Sequence, residues 1–509
     1  MSLYGGTWPT LQSKVHSLVP EACSRSGELA GVWGGTWQTV GTPRPTFSPN
    51  DGVSLAVTLN LSAEQTRRAV QAAAAEAPAW AALPLHERCL RVQKAAEALH
   101  EHRETLALLL AWEIGKPVAQ ALTSVDRTVQ GVQWYLQEAD RMMGGRTPVG
   151  VVSNIASWNY PLSVLVHSML VQALAGNIGL AKTPSAGGAA SVTLAVALAR
   201  RAGVPLCLVH GSGSQLGEVL IRSEEVDAVA FVGGRAHGRT VAEQLVDRSK
   251  RYMLEMEGVN AYGLWDFSDW KLLEQHLTKG YEYGKQRCTA YARFVVQRRL
   301  FPQFLATYQR AMSQIKVGHP LKPEEDSFSA LTYGPLISAD KVSSLQERIQ
   351  EALTLGAVPI YQGQLDRARY LDGQTTTAYM APVALLNVPR RSALYHAEPF
   401  GPVDTFVLVD TLDELIGEMN VSRGSLVATI ATDDARVAAE VSPRLQAFKV
   451  GVNALRSRGD REEPFGGYGE SWQGCFVGGE HLIRAVTHSA TGQAPLGNFT
   501  ASHVPMEAR

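Results

Sequence analysis

Cys288 stands in the stretch YEYGKQRCTAYARFVV, residues 281–296, behind a Gly and a Gln and ahead of a strand-like RFVV. A thiolate is a strong nucleophile, and local environment decides whether a thiol becomes one. Read alone, such a cysteine is either a nucleophile or a small buried hydrophobe, and most lone cysteines are the second. Two other polar residues say less when taken alone. Asn159, two places before Pro161, reads as a turn former, and Glu255 as a solvated carboxylate. The remaining cysteines, Cys23, Cys89, Cys207 and Cys475, make five in all, an odd and scattered set with no CxxC pair. That pattern fits neither a disulfide framework nor a zinc site of usual spacing, so no metal is expected and a reducing compartment is.

The chain that positions these residues has 509 of them, enough for two or three domains. Its composition, 45% hydrophobic and 19% charged, is that of a globular protein. A net charge of −1 and a pI near 6.9 leave no field to recruit nucleic acid or an anionic membrane. The first residues, MSLYGGTWPT, have no basic segment followed by an apolar one, and no apolar run approaches the ~18 residues of a membrane span. A cytoplasmic location is the expectation.

Residues 1–27 are weakly patterned and read as an N-terminal extension. Residues 28–60 look strand-rich, with a turn at SPNDG (48–52). From Ser62 to about Leu122 apolar residues recur at helical spacing, and Ser62 with Gln65 predicts a capping box. A further helix is expected over 123–142. Beyond it, strands at 149–155, 177–182, 205–211 and 228–234 alternate with helices at 163–176, 187–202, 214–222 and 236–247. This alternation predicts a parallel, doubly wound α/β sheet, with ligands at the strand ends. A second, less regular alternation runs from about 256 to 450. Polar loops are expected at 317–330, 362–378 and 455–463, and a loose tail after about 490.

Eight motifs, in one order over roughly residues 28–490, resemble those of the aldehyde dehydrogenase superfamily. They are SWNYP (157–161), GLAKTPS (179–185), FVGGRAHG (231–238), LEMEG (254–258), GKQRCTA (284–290), GPLIS (334–338), EPFGPV (398–403) and PFGGYGES (464–471). The resemblance implies an α/β fold with a Rossmann-type cofactor domain at 28–255 and a second α/β catalytic domain at 256–450. Residues 451–492 then return to the cofactor domain with a C-terminal strand, and 493–509 form a tail. It implies oxidation of an aldehyde to a carboxylic acid with NAD or NADP. Cys288 would form a thiohemiacetal, then a thioester. Asn159 and the backbone N–H of Cys288 would meet the oxyanion, a contact worth roughly 3 kcal/mol in comparable sites. Glu255, 33 residues before Cys288, would be the general base for the hydrolytic water. Lys182 would contact the adenosine ribose, and Glu398 and Phe400 would hold the nicotinamide ribose and ring. Trp158, Ser185, Gly233 and Gly234 complete the expected cofactor set.

The sequence departs from the family pattern at four places. Ser185 stands where NAD-preferring members commonly carry a Glu, whose absence admits a 2′-phosphate. Gly234 replaces a Ser near a phosphate, with Arg235 and His237 following as substitute cations or as a solvated helix start. Glu257 replaces a Gly, adding bulk and a charge two residues from Glu255; it either raises the pKa of Glu255 or obstructs the ring. A β-hairpin of about fifteen residues that helps join subunits in most members is almost absent before TPVGV (147–151). The strand expected at 484–492 therefore lacks partners, and a reduced oligomer is predicted, a homodimer or monomer rather than a tetramer. Arg456, Arg458 and Arg461 either receive a substrate carboxylate or pair with Asp460, Glu462 and Glu463. Trp158, Tyr160, Tyr281 and Tyr283 form an aromatic substrate wall or pack in the core. Two rival readings stay open: a CoA-acylating relative, against which Glu255 argues, and a catalytically weak protein that keeps the fold for binding.

Overall fold

The computed structural model describes residues 3–246, 249–322, 331–459 and 461–499. Asp460, residues 323–330 of the loop expected at 317–330, and the last part of the expected tail lie outside them.

The alternation read from 149 to 234 becomes the centre of a nine-stranded sheet. Five parallel strands lie side by side in the order Cys207–Val209, Ile178–Lys182, Val151–Ile155, Ala228–Gly233, Arg251–Met256. Numbered along the chain this is 3-2-1-4-5, a doubly wound order that reverses between Val151–Ile155 and Ala228–Gly233. At such a reversal the helices leave to opposite faces and a crevice opens beyond the strand ends. The edges are antiparallel: Gly31–Trp33 and Thr36–Gln38 on one side, Trp472–Cys475 and Gly497–Asn498 on the other. The strands are buried on both faces, polar members such as Ser153, Asn154 and Glu255 included.

A seven-stranded sheet holds Asn260–Leu264, Tyr291–Gln297, Val358–Gln362, Val383–Leu386, Val403–Val409, Val427–Ala431 and Lys449–Val452. Only its edge strand Val358–Gln362 runs antiparallel. The chain passes from the first sheet to the second between Met256 and Asn260. There a Cβ on Gly258 would stand 2.3 Å from Ser471 Oγ and 2.6 Å from the Gly424 carbonyl, so no larger residue fits.

The capping box forms: Ser62 Oγ accepts from the Gln65 N–H and Gln65 Oε1 accepts from the Ser62 N–H. Two features differ from the sequence reading. The N-terminal extension carries a helix, Trp8–Leu18, whose Trp8, Leu11 and Val15 are buried, with Trp8 edge-on to Trp112. An apolar face of three residues is too short to stand out from periodicity. The strand expected at 484–492 does find a partner: Thr487–His488 pairs antiparallel with Thr147–Pro148. This ladder is two residues long and is supported by Arg146 donating to the Thr487 hydroxyl and carbonyl.

Candidate active site

A pocket of about 220 Å³ opens at the reversal of the first sheet, and loops and a helix flanking the second sheet, with Cys288, Ile337, Lys341, Glu398 and Phe400, close it. It gathers Trp158, Asn159, Gly233, Gly234, Glu255, Cys288, Glu398 and Phe400, residues spread over 240 positions of sequence. Three follow from strand ends: Asn159 lies just beyond Val151–Ile155, Gly233 ends Ala228–Gly233, and Glu255 nearly ends Arg251–Met256. Lys182 and Ser185 do not line it. Lys182 ends its strand, and Ser185 faces a separate cleft of about 670 Å³.

Cys288 is partly exposed at this pocket, on the short loop before the strand Tyr291–Gln297. The loop is fastened from several sides. Asn260 Nδ2 donates to the carbonyls of Cys288 (2.7 Å) and Ala290 (2.9 Å), while its Oδ1 accepts from Ser425, Leu426 and Val427. Lys285 forms a buried ion pair with Asp404 and donates to the Tyr291 carbonyl at 2.8 Å. The hydroxyls of Tyr281 and Tyr308 complete the Asp404 carboxylate at 2.7 and 2.9 Å. Tyr283 and Lys285 hold positive φ angles of 58°, a conformation kept only where surroundings enforce it. Burial raises the Cys288 thiol well above its ordinary value, the Glu255 carboxylate adds to this, and the Arg458 guanidinium opposes it.

Asn159 is buried, and its amide nitrogen donates to the Gln286 carbonyl at 2.9 Å. An amide nitrogen carries two hydrogens, so one donor remains for the pocket. The carbonyl of Asn159 accepts from the buried Lys116 at 2.8 Å, and that ammonium sits 3.9 Å over the Tyr160 ring and 4.5 Å over Tyr283. A π-helical turn, Pro161–Val166, follows directly. Lys116 thus fixes the 157–161 segment, a role that no local sequence signal announces.

Glu255 is 2% exposed and its Oε2 takes a hydrogen bond from Arg458 Nη1 at 2.6 Å. Its Oε1 has no hydrogen-bond partner among the described residues. The three loop arginines therefore turn three ways. Arg456 pairs with Glu463, Arg461 donates to Gln130, and Arg458 pairs with Glu255, a residue of the pocket that Arg458 itself does not line. The aromatic set divides as well. Trp158 and Tyr160 line the pocket, whereas Tyr281 and Tyr283 are core residues bonded to Asp404 and the Ile114 carbonyl.

On the opposite wall Glu398 is buried, and neither of its carboxylate oxygens has a side-chain hydrogen-bond partner among the described residues. Burial, and next the neighbouring Glu257 charge, push it well above the usual carboxylate range, with Lys341 opposing. Lys341 also lines the pocket and was not anticipated from sequence. It donates to the Pro399 carbonyl at 2.8 Å, and burial lowers it to about 8. The departures at 234 and 257 prove to be neighbours: a Cβ at Gly234 would lie 3.8 Å from Glu257 Oε2. Arg235 does not face the pocket as a substitute cation, because its guanidinium is taken by Glu470 and the Glu257 carbonyl.

This wall fits a dinucleotide. Paired hydroxyls of a ribose would answer the two orphaned oxygens of Glu398. The helix Arg235–Leu245 begins at Gly234 with no side-chain cap, leaving backbone N–H groups for a phosphate. The helix Ala189–Arg201 offers no such end, since Glu113 accepts from the N–H groups of Ala190 and Ser191. Lys182, lowered to about 8 by burial, donates to the carbonyls of Thr183 and Gly211 and to the Ser185 hydroxyl.

Residues 37–491 match the model of the aldehyde dehydrogenase family. The chain belongs to this family. The chain is 27% identical to glutarate-semialdehyde dehydrogenase of Pseudomonas putida, over 82% of this chain and 88% of that protein. It is 30% identical to 4-(hydroxymethyl)benzenesulfonate dehydrogenase of Comamonas testosteroni, over 86% and 90%. Among solved structures, NADP-dependent glyceraldehyde-3-phosphate dehydrogenase from Bacillus halodurans, complexed with NADP, aligns with a TM-score of 0.83 at 26% identity, covering 91% of this chain and 98% of that one. This aldehyde dehydrogenase is an NAD(P)⁺-dependent oxidoreductase that converts an aldehyde to a carboxylic acid. No helix among the described residues is long and apolar enough to cross a membrane, and no cluster of three metal-ligating side chains occurs among them.

Proposed function

We propose that this dehydrogenase oxidises aldehydes that carry an anionic group, through a covalent adduct on Cys288. The observation that supports it is the convergence of Cys288, Asn159, Glu255 and Glu398 on one 220 Å³ pocket, with Arg458 paired to Glu255 behind that lining. The thiol of Cys288 adds to the carbonyl carbon and the second Asn159 N–H stabilises the oxyanion. NAD(P)⁺, when bound, supplies the hydride acceptor. Glu398 accepts from the cofactor ribose, and Phe400, edge-on to Trp158 at 6.0 Å, bounds the ring. Glu255 then takes the proton of the water that cleaves the thioester. A buried carboxylate on the pocket wall favours water over CoA as the acyl acceptor; acyl-CoA formation in the presence of CoA would overturn this step.

The names of the three relatives above describe compounds bearing a carboxylate, a sulfonate and a phosphate. Arg458 supplies a guanidinium suited to such groups. Ser185 supports acceptance of NADP⁺ as well as NAD⁺, since position 185 itself carries no carboxylate to repel a 2′-phosphate, while Asp340 lines the same cleft. Calorimetric titration with each cofactor comes first, followed by NAD(P)H formation from succinic semialdehyde and from butanal. Failure to bind either cofactor would overturn the reading. We also propose a monomer or homodimer in solution, because the subunit-joining hairpin is cut to Thr147–Pro148. A stable tetramer by light scattering would refute that.

A further inference from the structure

Arg458 does two things that conflict. Its guanidinium holds Glu255 Oε2 at 2.6 Å, and it stacks 5.2 Å over the Phe465 ring. Yet 28% of its side chain stays accessible, while Glu255 keeps 2%. It sits on the loop that carries the other two arginines, both of which are directed elsewhere. Before acylation the guanidinium is useful, because it opposes the rise that burial and the Glu255 charge impose on the Cys288 thiol. After acylation no thiolate remains. Protonating Glu255 would then leave a largely buried guanidinium facing a neutral acid, which is unfavourable. Hydrolysis therefore requires Arg458 to find another anion.

We propose that Arg458 is a latch on Glu255 that the anionic group of the substrate releases. A substrate carboxylate or sulfonate takes the guanidinium, and the freed Glu255 accepts a proton from water. The water oxygen bonds to the thioester carbon, the C–S bond breaks, and the acid leaves with Cys288 restored. A neutral aldehyde acylates Cys288 but leaves the latch closed. Selectivity for anionic aldehydes then lies in thioester breakdown and not only in binding. This inference rests on the roles of Cys288 and Glu255 proposed above.

The test uses the full-length enzyme with saturating cofactor and two four-carbon aldehydes, succinic semialdehyde and butanal, which differ in the terminal carboxylate. Rapid-mixing traces separate the first burst of NAD(P)H, which reports acylation, from the steady phase, which reports thioester breakdown. In the unaltered enzyme, breakdown is expected to be about tenfold or more slower for butanal. Arg458→Met should slow the burst for both aldehydes, accelerate breakdown for butanal, and erase the difference between them. Arg458→Lys, which keeps the charge but loses the forked geometry, should give an intermediate difference and serves if the Met variant does not fold. Equal breakdown rates in the unaltered enzyme, or a butanal rate that Arg458→Met leaves unchanged, would overturn the latch while leaving the catalytic roles intact. Absence of NAD(P)H from every aldehyde would overturn those roles and the latch with them.

Discussion

On the wall that carries Cys288 nearly every polar group is answered from within the chain, whereas the wall that carries Glu398 is left waiting for a ligand. Asn260 uses its amide nitrogen twice and its oxygen three times, and Asp404 receives Lys285, Tyr281 and Tyr308. Across the pocket, Glu398 has two orphaned oxygens beside the like charge of Glu257. The first wall is rigid because a nucleophile must be held to within a fraction of an ångström of its target. The second stores unfavourable electrostatics that only a bound cofactor relieves, so binding and organisation of the site become one event.

The comparison can be broken at either wall. The largest effect is expected from Cys288→Ser, which should abolish NAD(P)H formation while the protein melts as before. The thiol of the cofactor-free enzyme should react slowly with iodoacetamide near neutral pH and faster as pH climbs through the raised value. Next, Asp404→Asn leaves Lys285 buried without its charge partner and should lower stability by about 3–5 kcal/mol in urea unfolding. On the cofactor wall, Glu398→Gln should raise the KM for cofactor about tenfold without that loss. Its pH signature differs too. Folded Glu398 keeps its proton well above the ordinary 4.5, so above 4.5 the folded state binds more protons than the unfolded and stability falls as pH rises. Glu398→Gln should flatten that fall in melting curves of the cofactor-free protein. The smallest effect is expected for Glu257→Gly, a few-fold gain in cofactor affinity by calorimetry as the like charge beside Glu398 disappears. A much larger gain in turnover would instead mean that Glu257 blocks the ring.

The same asymmetry explains what the sequence could disclose. The alternation from 149 to 234 predicts the parallel strands because buried strands read as apolar runs, and the motif order brings eight of the ten expected site residues to one pocket. The Arg458–Glu255 contact joins positions 203 apart and has no periodicity to betray it. Lys116 is invisible for a related reason: a lysine in GKP carries no mark of being 1% exposed under two tyrosine rings. Gly234 and Glu257 each look like damage when read along the chain. In space they are neighbours, which only the fold reveals.

The strand that bears Glu255 pairs on its far side with Trp472–Cys475, in the register Glu255↔Trp472. The chain leaves the first sheet after Met256, builds the whole second sheet, and only then returns to cover that edge. During synthesis at ~5–20 residues per second, the open edge of Arg251–Met256 must persist for tens of seconds while the chain between is made. A strand with unpaired N–H and C=O groups is a template for pairing with a foreign strand. The nascent first half is therefore the vulnerable species in the life of this enzyme, and truncation anywhere before Trp472 should yield an aggregating product rather than a smaller folded one.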